Sequence, residues 1–320
     1  MSSEVATPMA PAIIVAEACD RGKEREENQD SVRHAMLPMG ELLLVADGVG
    51  GYSGGATASR MVVDCFLDYL GSLPADYPAD QAIREASAHA NSSIGAAANA
   101  PGSPYSRMGS TVVLALLNRA LSSQDSVGPE PGEIRAWIGH VGDSRAYLMR
   151  EGRLTRITND HSAVQSLLNR NLITPEEAQN HPDASVLTRS LGHRSEVEID
   201  IERVTLEVGD SLLLCSDGLW GYVPEREIEH VMASPSLSEP AIASALVDLA
   251  LAAGGHDNIG LEMARVSLQP VPAEAAPATP EVQPRGGIAN VISLTVLVMG
   301  AAVLAWAYLT HHLPGFLHLR

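Results

Sequence analysis

The sequence predicts an α+β fold of antiparallel sheets with helices packed outside them. Three observations carry that reading: apolar runs of strand length outnumber stretches of helical period, successive strand candidates mostly adjoin along the chain, and no internal repeat of fixed length occurs. A chain of 320 residues with 45% hydrophobic content has room for one large or two ordinary domains and ample apolar mass for a core.

Pro11–Ala18 is the first strand candidate. The polar stretch 20–30 then ends in Asn28-Gln29-Asp30 and runs into a second strand, Ser31–Leu37. In the stretch Leu42–Gly51, four apolar residues and an alanine lead straight into Asp47-Gly48, which reads as a buried strand stopping at an acidic turn. If these two strands pair as a hairpin, the carboxylates of Asp30 and Asp47 meet. Met61, Val62, Cys65, Phe66 and Tyr69 recur at helical spacing, so Gly55–Leu70 is a helix against the sheet. An alanine-rich helix over Asp80–Asn99 is broken by Pro101 and Pro104. Strands follow from Gly109 and over Ile134–Val141, separated by a loop rich in Ser, Pro and Gly at 122–133. After Asp143, two alternating runs split by Glu151-Gly152 form a hairpin. Residues 159–192 read as a helical excursion in the position of a lid, with Val164, Leu167 and Leu168 on one apolar face and a capping box at Thr174-Pro175-Glu176-Glu177. Strands at Glu196–Thr205 and Asp210–Ser216, helices at Pro224–Met232 and Pro240–Ala253, and a strand at Ile259–Val266 complete the folded part.

The charge balance excludes one class of partner. Lys and Arg number 21 against 39 Asp and Glu, so 21 − 39 = −18, and the tail from Gln269 onward is neutral. A globule of that sign repels phosphate backbones, so no nucleic acid is expected. Cys19, Cys65 and Cys215 are odd in number, lack C-x-x-C spacing and lie in or beside apolar segments, which predicts buried thiols in a reducing compartment. The first ten residues have neither a basic nor an apolar leader region, so no secretory signal is expected.

What singles out Asp47-Gly48 is repetition. Strand candidates also deliver Asp217-Gly218 and Asp143 at their ends, and Asp257 precedes the last strand. Asp47, Asp217 and Asp257, with Asp30 and Asp143 near in pattern, are an oxygen-only ligand set, and no His or Cys occurs at zinc spacing. Hard ions, Mg²⁺ or Mn²⁺, are therefore favoured. Two such ions about 4 Å apart can activate water at neutral pH and clamp a phosphoryl group. Arg25 offers the planar fork that phosphate oxygens need.

These residues carry a resemblance. Arg25 with Asn28-Gln29-Asp30, then VADGVGG, GSTVV, GDSRAY, TNDHS, ITPEEAQNHP with VLTRSLG, LLCSDGLW and HDNIG are similar, in order, to the motifs of the metal-dependent Ser/Thr protein phosphatases of the PPM (phosphatase 2C-like) family, bacterial branch. The resemblance covers about residues 12–266. It implies a four-layer αββα sandwich with two metal ions in a channel between the sheets. Asp47 would bridge both ions, the Gly48 carbonyl and Asp30 would serve the second, and Asp217 and Asp257 the first. Asp143 with Asp217 would make a third site beside the flap at 159–192, and Arg25 would hold the substrate phosphate. The chain departs from the family pattern at Val49, where animal-type members have a His, at Gln29 for Glu, at Gly260 for Thr and at Asp183-Ala184, where a basic residue is common.

Past residue 268 the composition changes. The reading is an N-terminal tail at 1–11, a phosphatase domain at 12–268 and a Pro/Ala-rich linker at 269–287 with five prolines between Pro270 and Pro284. Ile288–Thr310 then runs without a charge, with Trp306 and Tyr308 near one end, which predicts a transmembrane helix before a tail at 311–320. The expected protein is tail-anchored in the bacterial inner membrane with its domain in the cytoplasm, acting on phosphorylated Ser/Thr proteins and opposing a Ser/Thr kinase. Two other functions fit the same pattern: a silent phosphatase-like sensor, against which the intact aspartates argue, and a hydrolase of small-molecule phosphates.

Overall fold

A twelve-residue strand, β1 (Met9–Asp20), lies antiparallel along β11 (Ile259–Pro270) with Met9 opposite Pro270 and Asp20 opposite Ile259. This computed structural model describes residues 9–50, 54–105, 107–119, 134–179 and 181–270. The pairing carries the sheet into stretches the sequence reading assigned to the N-terminal tail (9–11) and the linker (269–270), because each end gives the other a full ladder of hydrogen-bond partners. The remaining linker, the segment 288–310 and the loop at 122–133 lie outside the described residues. Among the described residues no helix is long and apolar enough to cross a membrane.

Two sheets stack. One has the order β1-β11-β10-β7-β8, with β10 at Ser211–Cys215, β7 at Arg145–Arg150 and β8 at Arg153–Arg156. The other runs β2-β3-β5-β6-β9, with β2 at Asp30–Leu37, β3 at Gly40–Val49, β5 at Val112–Arg119, β6 at Ile134–Val141 and β9 at Asp200–Leu206. The short β4, Gly109–Ser110, pairs with the end of β3. Helices α1 (Gly54–Gly71) and α2 (Ala79–Ala98) cover the outer face of the second sheet. Helices α5 (Asp217–Trp220), α6 (Glu225–Met232) and α7 (Glu239–Ala252) cover the first. The expected four-layer αββα order is present.

Layering explains the unbroken apolar run of β3. Leu42, Leu44 and Ala46 face α1 and α2, whereas Leu43 and Val45 face the other sheet and meet Ala146, Leu212, Leu214 and Ala264. Both faces of the strand are buried, so no alternation of polar residues survives. The hairpin of β7 and β8 turns at Glu151 and Gly152, whose φ values of 52° and 79° are those of a two-residue type I′ loop.

The excursion at 159–192 corrects the expectation of a mainly helical lid. Among its described residues only α3 (Ala163–Asn169) and α4 (Pro175–Gln179) are helical. The capping box forms as predicted: Glu177 N–H donates to Thr174 Oγ1 at 3.2 Å, and Thr174 N–H donates to Glu177 Oε2 at 2.8 Å. On α3, however, the apolar face is half-buried, and the buried residue is Gln165, which bonds Arg156 and Asn169. The strand predicted from Glu196 starts only at Asp200. The cysteines are all free, but only Cys215 is buried, with Cys65 half-buried and Cys19 exposed.

Candidate active site

β2 and β3 pair so that Asp30 stands directly opposite Asp47, the juxtaposition expected from a hairpin. The turn expected at Asp47-Gly48 does not occur. β3 continues to Val49 because β4 supplies partners there, Gly48 opposite Ser110 and Val49 opposite Gly109. Thr111, between β4 and β5, fixes this corner. Its N–H donates to the Asp47 carbonyl at 2.8 Å, its Oγ1 accepts from Asp47 N–H at 3.0 Å, and Ser110 Oγ–H reaches the same carbonyl at 2.9 Å. Thr111 Oγ1 also bonds Ser144 Oγ at 2.7 Å, so one buried threonine buttresses Asp47 and the neighbour of Asp143 together. Sequence reasoning took the GST triplet as a strand start and as one of the motifs of the resemblance, with no role for its hydroxyls; both Ser110 and Thr111 prove fully buried.

Asp217 is the first residue of α5, a turn of helix not predicted, where a carboxylate complements the exposed N–H groups. Asp143 follows Gly142, whose φ of 108° lies in glycine territory and whose added Cβ would stand 2.6 Å from Thr111 Cγ2. Asp257 accepts from Arg25 Nη2 at 2.6 Å. The loop bearing Arg25 is pinned by buried Asn258, which accepts from Gln29 N–H at 2.8 Å and donates to the carbonyls of Arg21 at 2.8 Å and Glu27 at 3.1 Å. Burial works against the charge on Arg25, but Asp257, with Asp217 and Asp47 behind it, holds the guanidinium firmly protonated. At Gly48 an added Cβ would fall 2.1 Å from the Gly55 carbonyl oxygen, so only glycine brings this backbone against α1.

All the sequence-predicted site residues therefore converge. Burial raises the carboxyls of Asp47 and Asp217 well above their ordinary range, and the other aspartates of the cluster push further in the same direction. Asp30 is raised to about 7, by burial first and then Asp257, although Ser216 Oγ–H donates to it at 2.6 Å. Asp143 is raised to about 6, by burial and then Asp160. Asp30 Oδ1 is buried with no hydrogen-bond partner. So many crowded carboxyls, one with an orphaned oxygen and all offering only oxygen donors, fit hard divalent cations. No three of the aspartates bring ligand atoms within 4.8 Å of one another among the described residues, so the side chains do not close on a single ion.

The trio that does meet that distance is His140, His161 and Asp200. It is a structural latch at the root of the lid. Gly142 N–H donates to His161 Nδ1 at 3.1 Å, so the neutral ring carries its proton on Nε2, which faces Asp200 Oδ2 at 3.1 Å. His140 Nε2 bonds the Asn159 carbonyl at 3.0 Å, and its ring stacks on His161 at 4.6 Å. The Arg189 guanidinium sits 2.6 Å from Asp200 Oδ1, where a metal ion would have to displace it. With both ring nitrogens of His161 engaged, the ring ties the root of the lid to Gly142 and Asp200.

Without metal, the domain is expected to lose stability as pH rises from about 5 to about 7. Asp30 and Asp143 keep their protons in the fold up to about 7 and about 6, whereas the unfolded chain releases them near 3.8. The native state thus binds more protons in that window, and each retained proton costs about 1.4 kcal/mol per pH unit as the pH climbs. Thermal melts in EDTA should show the fall, shallower in Asp30→Asn, and the gain on adding Mn²⁺ should grow with pH. A metal-free melting temperature that does not fall over this window in the wild type, or that falls equally in Asp30→Asn, would contradict the placement of these protons.

Comparison with known proteins agrees with this geometry. The family profile described as "Protein phosphatase 2C" matches residues 21–246. Serine/threonine protein phosphatase PstP of Mycobacterium tuberculosis (strain ATCC 25618 / H37Rv) is 36% identical over 250 residues, covering 77% of this chain but only 44% of that protein. Serine/threonine phosphatase stp of Listeria welshimeri is 35% identical over 245 residues, covering 75% of this chain and 90% of its own length. Among solved structures, the crystal structure of M. tuberculosis PstP/Ppp aligns with a TM-score of 0.67 at 35% identity, over 80% of this chain and 99% of that one. A structure of the PstP catalytic domain in complex with two manganese ions aligns with a TM-score of 0.66 at 34% identity, over 81% of this chain and 100% of that one. On the profile match and on the extent of the Listeria relative that it covers, the chain belongs to the protein phosphatase 2C (PPM) family, with bacterial Ser/Thr protein phosphatases as its relatives.

Proposed function

We propose that the protein is a Mg²⁺- or Mn²⁺-dependent phosphatase of phosphoserine and phosphothreonine in proteins. The observation that carries this is the convergence of Asp30, Asp47, Asp143, Asp217 and Asp257 around a guanidinium, that of Arg25, held at their edge. Asp47, the Gly48 carbonyl, Asp217 and Asp257 would hold two ions, with Asp30 at the second and Asp143 at a third position. When bound, the ions supply an activated water and neutralise charge on the phosphoryl oxygens. Arg25, its side chain 49% exposed, leaves Asp257 to grip the substrate phosphate through its fork, and Asn258 keeps the loop from drifting as it does so. Ser216 and Thr111 hold Asp30 and Asp47 in place, so the carboxylates need little reorganisation.

The bacterial relatives, named as Ser/Thr protein phosphatases, support a phosphoprotein substrate, and a Ser/Thr kinase acting in opposition would supply it. The reading of 288–310 as a membrane anchor rests on its uncharged length, and with it the placing of the domain in the cytoplasm at the inner membrane. The test is release of phosphate from a phosphothreonine peptide by the full-length protein with Mn²⁺. No release, with the metal shown to bind, overturns the proposal. In the same assay Arg25→Ala is expected to raise KM about ten-fold or more with a smaller change in kcat, since it removes a charge-assisted grip on the phosphate. An unchanged KM would contradict the role given to Arg25.

A further inference from the structure

Tyr222 is an aromatic side chain left 39% exposed five residues along the chain from Asp217. It stands just past α5, the helix that begins with Asp217, and is tied back to it by Tyr222 N–H to the Leu219 carbonyl at 3.3 Å and Gly221 N–H to the Asp217 carbonyl at 2.8 Å. Its ring meets that of His256 with centroids 5.4 Å apart and planes at 42°. His256 is held in turn by Glu24, Nδ1 to Oε1 at 2.7 Å, and these two residues are the chain neighbours of Asp257 and Arg25. Burial raises the Tyr222 hydroxyl, and the next contributions come from Asp257 and Asp217, which places the ring beside the cluster. The other exposed large apolar side chains among the described residues are Met36, Leu172, Val186, Val208 and Leu268, and none of them lies as near along the chain to Arg25, Asp217 or Asp257.

We propose that Tyr222 and His256 form an aromatic lip that binds the polypeptide next to the phosphorylated residue. The enzyme would then prefer a phosphate borne on a peptide to the same phosphate on a free amino acid. The physical reason is position. A phosphate gripped by Arg25 and drawn towards the aspartates leaves its own side chain inside the mouth and the flanking residues outside. The first surface those residues meet is a pre-ordered aromatic pair rather than the carboxylates that surround it. An exposed aromatic ring of fixed orientation gives contact area at low entropic cost, and it suits the neutral backbone and apolar side chains that flank a phosphorylated residue. This rests on the phosphatase activity proposed above.

The test compares initial rates of full-length wild type, Tyr222→Ala and Tyr222→Phe on a phosphothreonine peptide with leucine and proline flanks and on free O-phosphothreonine. In Tyr222→Ala the ratio of kcat/KM for peptide over free amino acid is expected to fall about five-fold or more, through the peptide KM, and Tyr222→Phe is expected to restore it. The surface position of Tyr222 lets the alanine variant fold. An unchanged ratio in Tyr222→Ala overturns the lip, as does a phenylalanine variant no better than alanine. Fluorescence anisotropy of the labelled phosphopeptide in EDTA reads the same contact without turnover. If wild type released no phosphate from either substrate, the activity would be refuted, while equal peptide Kd for wild type and Tyr222→Ala would refute the lip.

Discussion

Asp47→Asn lowers kcat/KM by about a thousand-fold or more, and raises the melting temperature of the metal-free protein at neutral pH. The two effects have one cause. Asp47 is packed among Asp217, Asp30, Asp143 and Asp257, and burial with these neighbours makes its negative charge costly. Asparagine has nearly the same shape without the charge, so the empty fold relaxes. The same change takes away the ligand expected to be shared by both ions, and with it the neutralisation that turnover requires. The backbone of Asp47 is unaffected, since Thr111 and Ser110 hold it through its N–H and carbonyl. Rate assays with Mn²⁺ and thermal melts with and without the ion check both halves. Retained turnover, or a metal-free variant less stable than wild type, contradicts the assignment.

Gly218→Ala is expected to destabilise the domain by about 3 kcal/mol and to misplace Arg25 as well. A methyl at this position would stand 1.8 Å from the Asn258 carbonyl oxygen and 2.8 Å from its carbon, both backbone atoms that cannot swing aside. Moving Asn258 moves what it anchors, namely Gln29 N–H and the carbonyls of Arg21 and Glu27. Gly95→Ala is the control. Its added Cβ meets only the Gly192 carbonyl at 3.6 Å, ordinary contact, and alanine favours the helix by about 0.5–1 kcal/mol. Urea denaturation of both variants separates a clash from a generic glycine effect. Near-equal midpoints would refute the close approach of the two loops.

The comparison of sequence and structure turns on which interactions are local. The Asp30 and Asp47 pairing could be read ahead because two apolar runs joined by the short turn at Pro38-Met39 allow little but a hairpin. The capping box was equally readable, since its partners are three residues apart. The end of β3 was misread for the opposite reason. Asp-Gly signals a turn by itself, and only β4, some sixty residues on, supplies the partners that keep the strand going. The anchoring roles of Thr111 and Asn258, both inside quoted motifs, could not be read because a buried hydroxyl or amide has no periodicity to betray its partner, and their bonds reach over sequence separations of 64 and 229 residues. Trp220, which lies over the Arg145 guanidinium at 3.4 Å while Arg145 clamps Asp160, was likewise invisible as a contact between the lid root and α5.

The ladder between the first and last strands has a directional consequence. Asp20 and Ile259 close one end of it, two residues from Gly22 and Asp257, and Met9 and Pro270 close the other. A strand of 12 residues spans about 40 Å. Pro270 therefore stands at the end of the ladder remote from Asp257, about the length of the whole strand away from the acidic cluster.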